Sequence, residues 1–154
     1  MLPIRTETAI WPLAIAVYRG PASLDDHLAH LAEWNLWFAR GQRFMVLRVF
    51  MDEAALEQAD GVARATKQWL VDGAGDAIRS KVDAMVNIVP PSAYARMAVL
   101  SVEKVFGVPG LIAAGLPDGL EWLRSRFPEF GLWESVGALV QDWTGTTLNK
   151  GQLI

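Results

Sequence analysis

Residues 44–53 read FMVLRVFMDE. An apolar run this long, broken only by Arg48, suits a strand covered on both faces, because strands of parallel sheets lie between helical layers. The strand expected here spans 43–51. Asp52 and Glu53 end it, and a helical periodicity follows over 53–71. There Glu53, Glu57, Asp60, Arg64 and Lys67 share one stripe, and Leu56, Ala59, Ala63, Thr66 and Leu70 the other. The end of a strand feeding a helix is where α/β proteins place ligands. This junction offers only acids: Asp52 suits an N-cap, and Glu53 suits the positive end of a helix dipole.

Working outward, LAIAVY (13–18) reads as a second buried strand with Pro12 at its start. Ser23 caps a helix with Asp26 three residues on, and Leu24, Leu28, Leu31, Trp34 and Trp37 follow at helical spacing until Gly41. A third strand is expected over 82–89. In it Val82, Ala84, Val86 and Ile88 face one way, and Asp83, Met85 and Asn87 the other, toward water or a cleft. DGAGD (72–76) breaks the helix before that strand, and Ser92 caps a helix over 93–106 after it. Residues 110–114 form a fourth strand, and Pro117 opens another helix. This alternation predicts an α/β fold, a single sheet of about four strands covered by helices over 1–127. Beyond Pro128, an amphipathic C-terminal helix (131–143) and a frayed tail complete the chain, 128–154.

A chain of 154 residues, 52% apolar and 20% charged, is long enough for a substantial core. Its net charge of −3 excludes ordinary nucleic-acid binding, which needs clustered Lys and Arg. Its apolar runs stop short of the roughly 20 residues of a membrane helix, so no membrane insertion is expected. The absence of cysteine removes disulfides, thiolate metal sites and thiol nucleophiles. With no basic leader followed by an apolar run, a cytoplasmic location is the expectation.

No catalytic residue, metal ligand set or cofactor motif emerges. His27, His30 and Glu33 have a spacing that lets two side chains converge, but they read as a solvated helix face. Gly73 and Gly75 follow a helix and lack the third glycine of a dinucleotide loop, so they read as a connector. Arg48 is the informative residue. A guanidinium inside an apolar strand needs an acid, an exit to water, or an anionic ligand near the strand's C-terminal end. Asp83 and Asn87 either line a polar cleft with it or form the wet face of an edge strand. Seven tryptophans, among them Trp34, Trp69 and Trp122, either pack the core or wall an apolar pocket together with Met45, Met85 and Met97. The stripe Trp133, Val136, Leu139, Val140 and Trp143 packs either on its own domain or on a second copy, as a homodimer interface. The terminal helix lacks Lys and Arg, which disfavours docking to anionic lipid.

Three segments, YRGPASLDDHLAHL (18–31), ARGQRFMVLRVF (39–50) and GLEWLRSRF (119–127), resemble the small bacterial STAS-like proteins, relatives of anti-sigma-factor antagonists. The likeness covers residues 10–127 and rests on short, mostly structural motifs. It implies a non-catalytic regulatory module that works by binding a protein partner and, in one subgroup, is switched by phosphorylation of a Ser or Thr after a central strand. The corresponding junction is Met51-Asp52-Glu53-Ala54, which holds no hydroxyl. The expected function is therefore protein binding without that acceptor. The alternative is a carrier or sensor of a small apolar or lipid-like ligand.

Overall fold

Phe44–Phe50 (β3) is the middle strand of five in the computed structural model, which describes residues 2–145. Parallel neighbours flank it, Leu13–Tyr18 (β2) and Val82–Ile88 (β4), and Gly110–Ala113 (β5) extends the parallel set. The sheet is mixed because Ile4–Glu7 (β1) pairs antiparallel with β2. This fifth strand was not expected. Its sequence, IRTE, is short and half polar, and pairing to a buried neighbour holds it in place rather than its own apolar pattern.

The sheet divides two apolar layers. One face carries Leu13, Ile15, Val17, Met45, Leu47, Val49, Val86 and Ile88 against Leu116–Arg126 (α6) and Trp133–Thr144 (α7). Leu123 and Val136 are fully buried there, and burial of side chains this size contributes roughly 1.5–3 kcal/mol each. The helix expected beyond Pro128 thus belongs to the core: Trp133, Val136, Val140 and Trp143 are buried and Leu139 partly so. Of the two alternatives for this stripe, packing on its own domain is the one observed. Residues 146–154 of the expected tail lie outside the described residues.

The other face carries Ala14, Phe44, Val46 and Met85 beneath Leu24–Ala39 (α1) and, further along, Val62–Trp69 (α2), Gly75–Lys81 (α3), Pro91–Met97 (α4) and Val102–Phe106 (α5). α1 starts as the sequence predicts. The Ser23 hydroxyl accepts from Asp26 N, and the Asp26 carboxylate accepts from Ser23 N. Two expected helices are cut. After Asp52 only one 3₁₀ turn forms, Glu53–Leu56, and α2 begins at Val62 because Gly61 adopts φ 89°, which interrupts the helix. The stretch 93–106 likewise splits, with Ser101 capping α5 through Lys104 N. DGAGD interrupts the helix as expected, by a kink and not by a long loop. Gly73, at φ 135°, lets a wide turn over Leu70–Ala74 carry α2 directly into α3.

β4 also departs from strict alternation. Val82 and Met85 pack with the α1 face while Ala84, Val86 and Ile88 take the opposite one, because the register with β3 slips between Phe44 and Met45.

Candidate functional site

Register builds the site. On the α1 face, Ala16, Arg48, Asn87 and Ile112 stand in one row across β2 to β5, and Tyr18 and Phe50 stand together one step further toward the strands' C-terminal ends. Ala16 brings almost no side chain to this row, and the open space lies beside Tyr18, Arg48 and Phe50. α1, α2 and the 55–59 segment roof this space, leaving a cavity of about 300 Å³. Its walls include Leu31, Trp34, Phe50, Val62, Trp69 and Ile78, with Tyr18, His27, His30, Arg48 and Thr66 as its inner polar groups and the exposed Glu57 and Gln58 at its rim. A second lobe of about 160 Å³ runs under α4 and α5 and shares Arg48, Phe50, Met97 and Phe106 with the first. The guanidinium therefore stands where the two lobes meet, at the sheet end where α/β folds bind ligands.

Arg48 Nε donates to Asn87 Oδ1 at 2.8 Å, and the guanidinium carbon lies 5.5 Å from the centre of the Phe50 ring and 5.6 Å from that of Phe106. Among the described residues no carboxylate forms an ion pair with it. The contacts it makes are with an amide, two aromatic faces and the Tyr18 phenol, all of them neutral.

Tyr18 heads a hydrogen-bonded chain. Its hydroxyl is 2.7 Å from His30 Nε2, His30 Nδ1 is 3.1 Å from Glu33 Oε1, and the Thr6 hydroxyl donates to Glu33 Oε2 at 2.6 Å. Trp34 Nε1 also approaches His30 Nε2, at 3.3 Å. An indole N–H can only donate, so Nε2 is an acceptor and the imidazole proton sits on Nδ1, facing Glu33. Tyr18 must then donate to His30, which turns its oxygen lone pairs elsewhere. Burial pushes the Tyr18 pKa up to about 12, opposed by Arg48 nearby and reinforced by Glu33. The hydrogen bond from His30 holds the Glu33 carboxyl below its ordinary range against partial burial, and Thr6 assists.

His27 Nε2 lies 2.7 Å from the Thr66 hydroxyl, which itself donates to Val62 O at 2.9 Å. With that proton committed, His27 is the donor. Burial lowers the His27 pKa, helped by His30 and Arg48, so the imidazole favours its neutral form. The site thus holds one fixed positive charge, on Arg48.

The sequence brought some of these residues together and missed others. Arg48 and Asn87 do meet. Asp83 does not join them: it sits near the other end of β4 and accepts from Arg43 Nε at 2.5 Å. Asp52 caps the 3₁₀ turn through Ala55 N and also accepts from Gly20 N, which ties the β2–α1 turn to the cavity roof. Glu53 pairs with Arg96 at 2.5 Å and accepts from Ser92, so it bridges to α4. Trp34, Trp69 and Met97 reach the cavity, whereas Met45 and Met85 are buried in the opposite layer and in the core, and Trp122 packs against α6's side of the sheet. The histidines correct the expectation of a solvated face: His30 is 4% exposed and Leu28 is the exposed residue. The signal was present, since positions 27, 30, 31 and 34 follow the spacing of the buried stripe that continues to Trp37 and Phe38.

Among the described residues there is no cluster of three or more acids and histidines able to hold a metal, and no helix long and apolar enough to cross a membrane. No family model, curated protein or solved structure matches the chain.

Proposed function

We propose that the protein is a binding module for a small apolar, lipid-like molecule, which it carries or senses. The observation that carries this reading is the cavity itself, walled by aromatic and aliphatic side chains and entered by a few polar groups. At about 300 Å³ it lies at the lower end of the usual range for small-molecule sites. Trp34 and Trp69 line it, so occupancy is expected to change the intrinsic fluorescence. Native mass spectrometry of protein purified without detergent tests the reading. A mass adduct that disappears on delipidation and returns with an added apolar compound supports it, and a protein that takes up no apolar probe overturns it. The reading assigns the site no bond-making step: high-pKa Tyr18 keeps its proton, and neutral His27 is held to Thr66.

A second reading is the STAS-like regulatory module that recognises a protein partner. The mixed sheet is compatible with it, and Val99, Leu100 and Val105, all exposed around α5, give it a surface. Val99→Asp, at an exposed position that lines neither lobe, separates the two. Partner binding from a host extract should be lost if the module reading holds, while uptake of an apolar probe from a purified solution should persist if the cavity is the site of function.

A further inference from the structure

Among the described residues, Arg48 is a fixed cation with no carboxylate ion-paired to it. Desolvating a guanidinium among apolar walls is costly unless a counter-charge arrives. In most chains an acid from a neighbouring strand would fill that role. Here the position opposite on β4 is Asn87 and the one on β2 is Ala16, so the register supplies an acceptor and a gap but no charge. The bond to Asn87 uses Nε alone. The terminal nitrogens, at the end of the guanidinium, have the neutral Tyr18 phenol within hydrogen-bond reach and no carboxylate ion-paired to them, and Arg48 lines both lobes. Two parallel N–H groups at such an end match the two oxygens of a carboxylate.

The Tyr18–His30–Glu33 chain supports the same arrangement. Because Trp34 fixes His30 Nε2 as an acceptor, the Tyr18 hydroxyl points its proton at His30 and leaves its lone pairs on the side of Arg48. Asn87 and Tyr18 therefore orient the guanidinium without neutralising it. Of the acids nearby, Glu33 is engaged by His30 and Thr6, and Glu57, exposed on the 55–59 segment that lines the cavity, makes no ion pair with Arg48. A single positive charge suits a monoanion better than a phosphate monoester, which carries close to two charges at neutral pH.

We propose, resting on the binding reading above, that the ligand is an amphipathic monocarboxylate. Its carboxylate is received end-on by Arg48, and its apolar chain lies along Trp34, Trp69 and Phe50. Arg48 is the binding residue, and Asn87 and Tyr18 are positioning residues. Asn87→Asp is the most telling variant. It is nearly isosteric and would place an internal carboxylate on Arg48, competing with the ligand while keeping the fold.

Decanoate, decanol and decyl phosphate, titrated into the delipidated protein and followed by tryptophan fluorescence and calorimetry, test this. Decanoate is expected to bind roughly ten- to a hundredfold more tightly than decanol. Arg48→Met and Asn87→Asp should each bring decanoate down to the affinity of decanol, with both variants retaining wild-type circular dichroism. If all three compounds fail to bind, the binding reading itself falls, and the head-group assignment with it. Equal affinity for decanoate and decanol leaves the cavity a binding site but overturns the carboxylate assignment. So does tighter binding of decyl phosphate, and so does decanoate affinity unchanged in both variants.

Discussion

Arg48 and Asn87 occupy the same register position on adjacent parallel strands, and the Arg48 Nε donates to the Asn87 carbonyl oxygen at 2.8 Å. The pair keeps a cation in the sheet without cancelling its charge, which, on the proposed carboxylate reading, places binding and stability in opposition at one position. Arg48→Met keeps much of the side chain's length and removes the charge. The thermal midpoint of the empty protein is expected to stay the same or rise by a few degrees, a shift of up to about 1 kcal/mol. Differential scanning calorimetry of the delipidated variant checks this, and a large fall in midpoint would show that Arg48 is structural.

Tyr18 predicts an alkaline limit. Its pKa is raised from 10.0 to about 12 in the folded protein, so above the lower value the unfolded chain ionises while the folded one keeps its proton. Stability should therefore fall as pH rises through that interval, by about 2–3 kcal/mol in total. Tyr18→Phe loses the bond to His30, costing roughly 1–2 kcal/mol at neutral pH, but should lose this alkaline slope as well. Urea unfolding at a series of alkaline pH values reads both effects.

Glu33 and His27 set the acid side. Both pKa values are lowered in the folded state, so in both cases the unfolded chain binds more protons as pH falls. The His27 contribution is present above the ordinary imidazole value of 6.5 and declines below it. The Glu33 contribution declines only below the ordinary carboxyl value of 4.5. Two steps of acid destabilisation are expected. His27→Gln should flatten the upper one and Glu33→Gln the lower one, each seen in unfolding midpoints against pH.

Gly20 joins β2 to α1 beneath the 3₁₀ turn that roofs the cavity. A Cβ there would lie 2.1 Å from the Ala54 carbonyl carbon and 2.3 Å from Ala55 N, both backbone atoms that cannot swing aside. Gly20→Ala is expected to cost about 1–3 kcal/mol and to displace the roof, weakening uptake of apolar probes. Hydrogen exchange at residues 52–56 should quicken in this variant and stay unchanged at β3.

Leu123→Ala removes a fully buried side chain from the opposite layer. A loss of about 2–5 kcal/mol is expected, with probe affinity unchanged. Chemical denaturation and a binding titration on the same sample separate the two.

The central part of the fold was legible because its signals are strong and local. FMVLRVF and LAIAVY are apolar on both faces, Ser23 with Asp26 forms a capping box, and Gly41 and Gly107 take the left-handed conformations that end helices. β1 was not legible, because four half-polar residues hold their place only through pairing with β2. The helix breaks at Gly61 and near Ser101 lie inside periodic stretches, where a continuous helix satisfies the pattern equally well. Of the site, Arg48 and Asn87 stood out as polar groups in apolar strands. His30 did not, since a histidine beside aspartates reads as polar surface until the sheet shows which way α1 is turned. Asp83 misled because it lies at the start of β4, at the far end of the strand from Asn87, where it pairs with Arg43.

The sheet leaves this protein with a hollow side and a solid side. On the proposed binding reading, what it recognises is written on the α1 face, while the packed layer beneath α6 and α7 carries much of its resistance to unfolding. A lineage could therefore exchange one cargo for another by altering the hollow side while the solid side drifts under separate constraints. A designer could reinforce the latter first and then reshape the former.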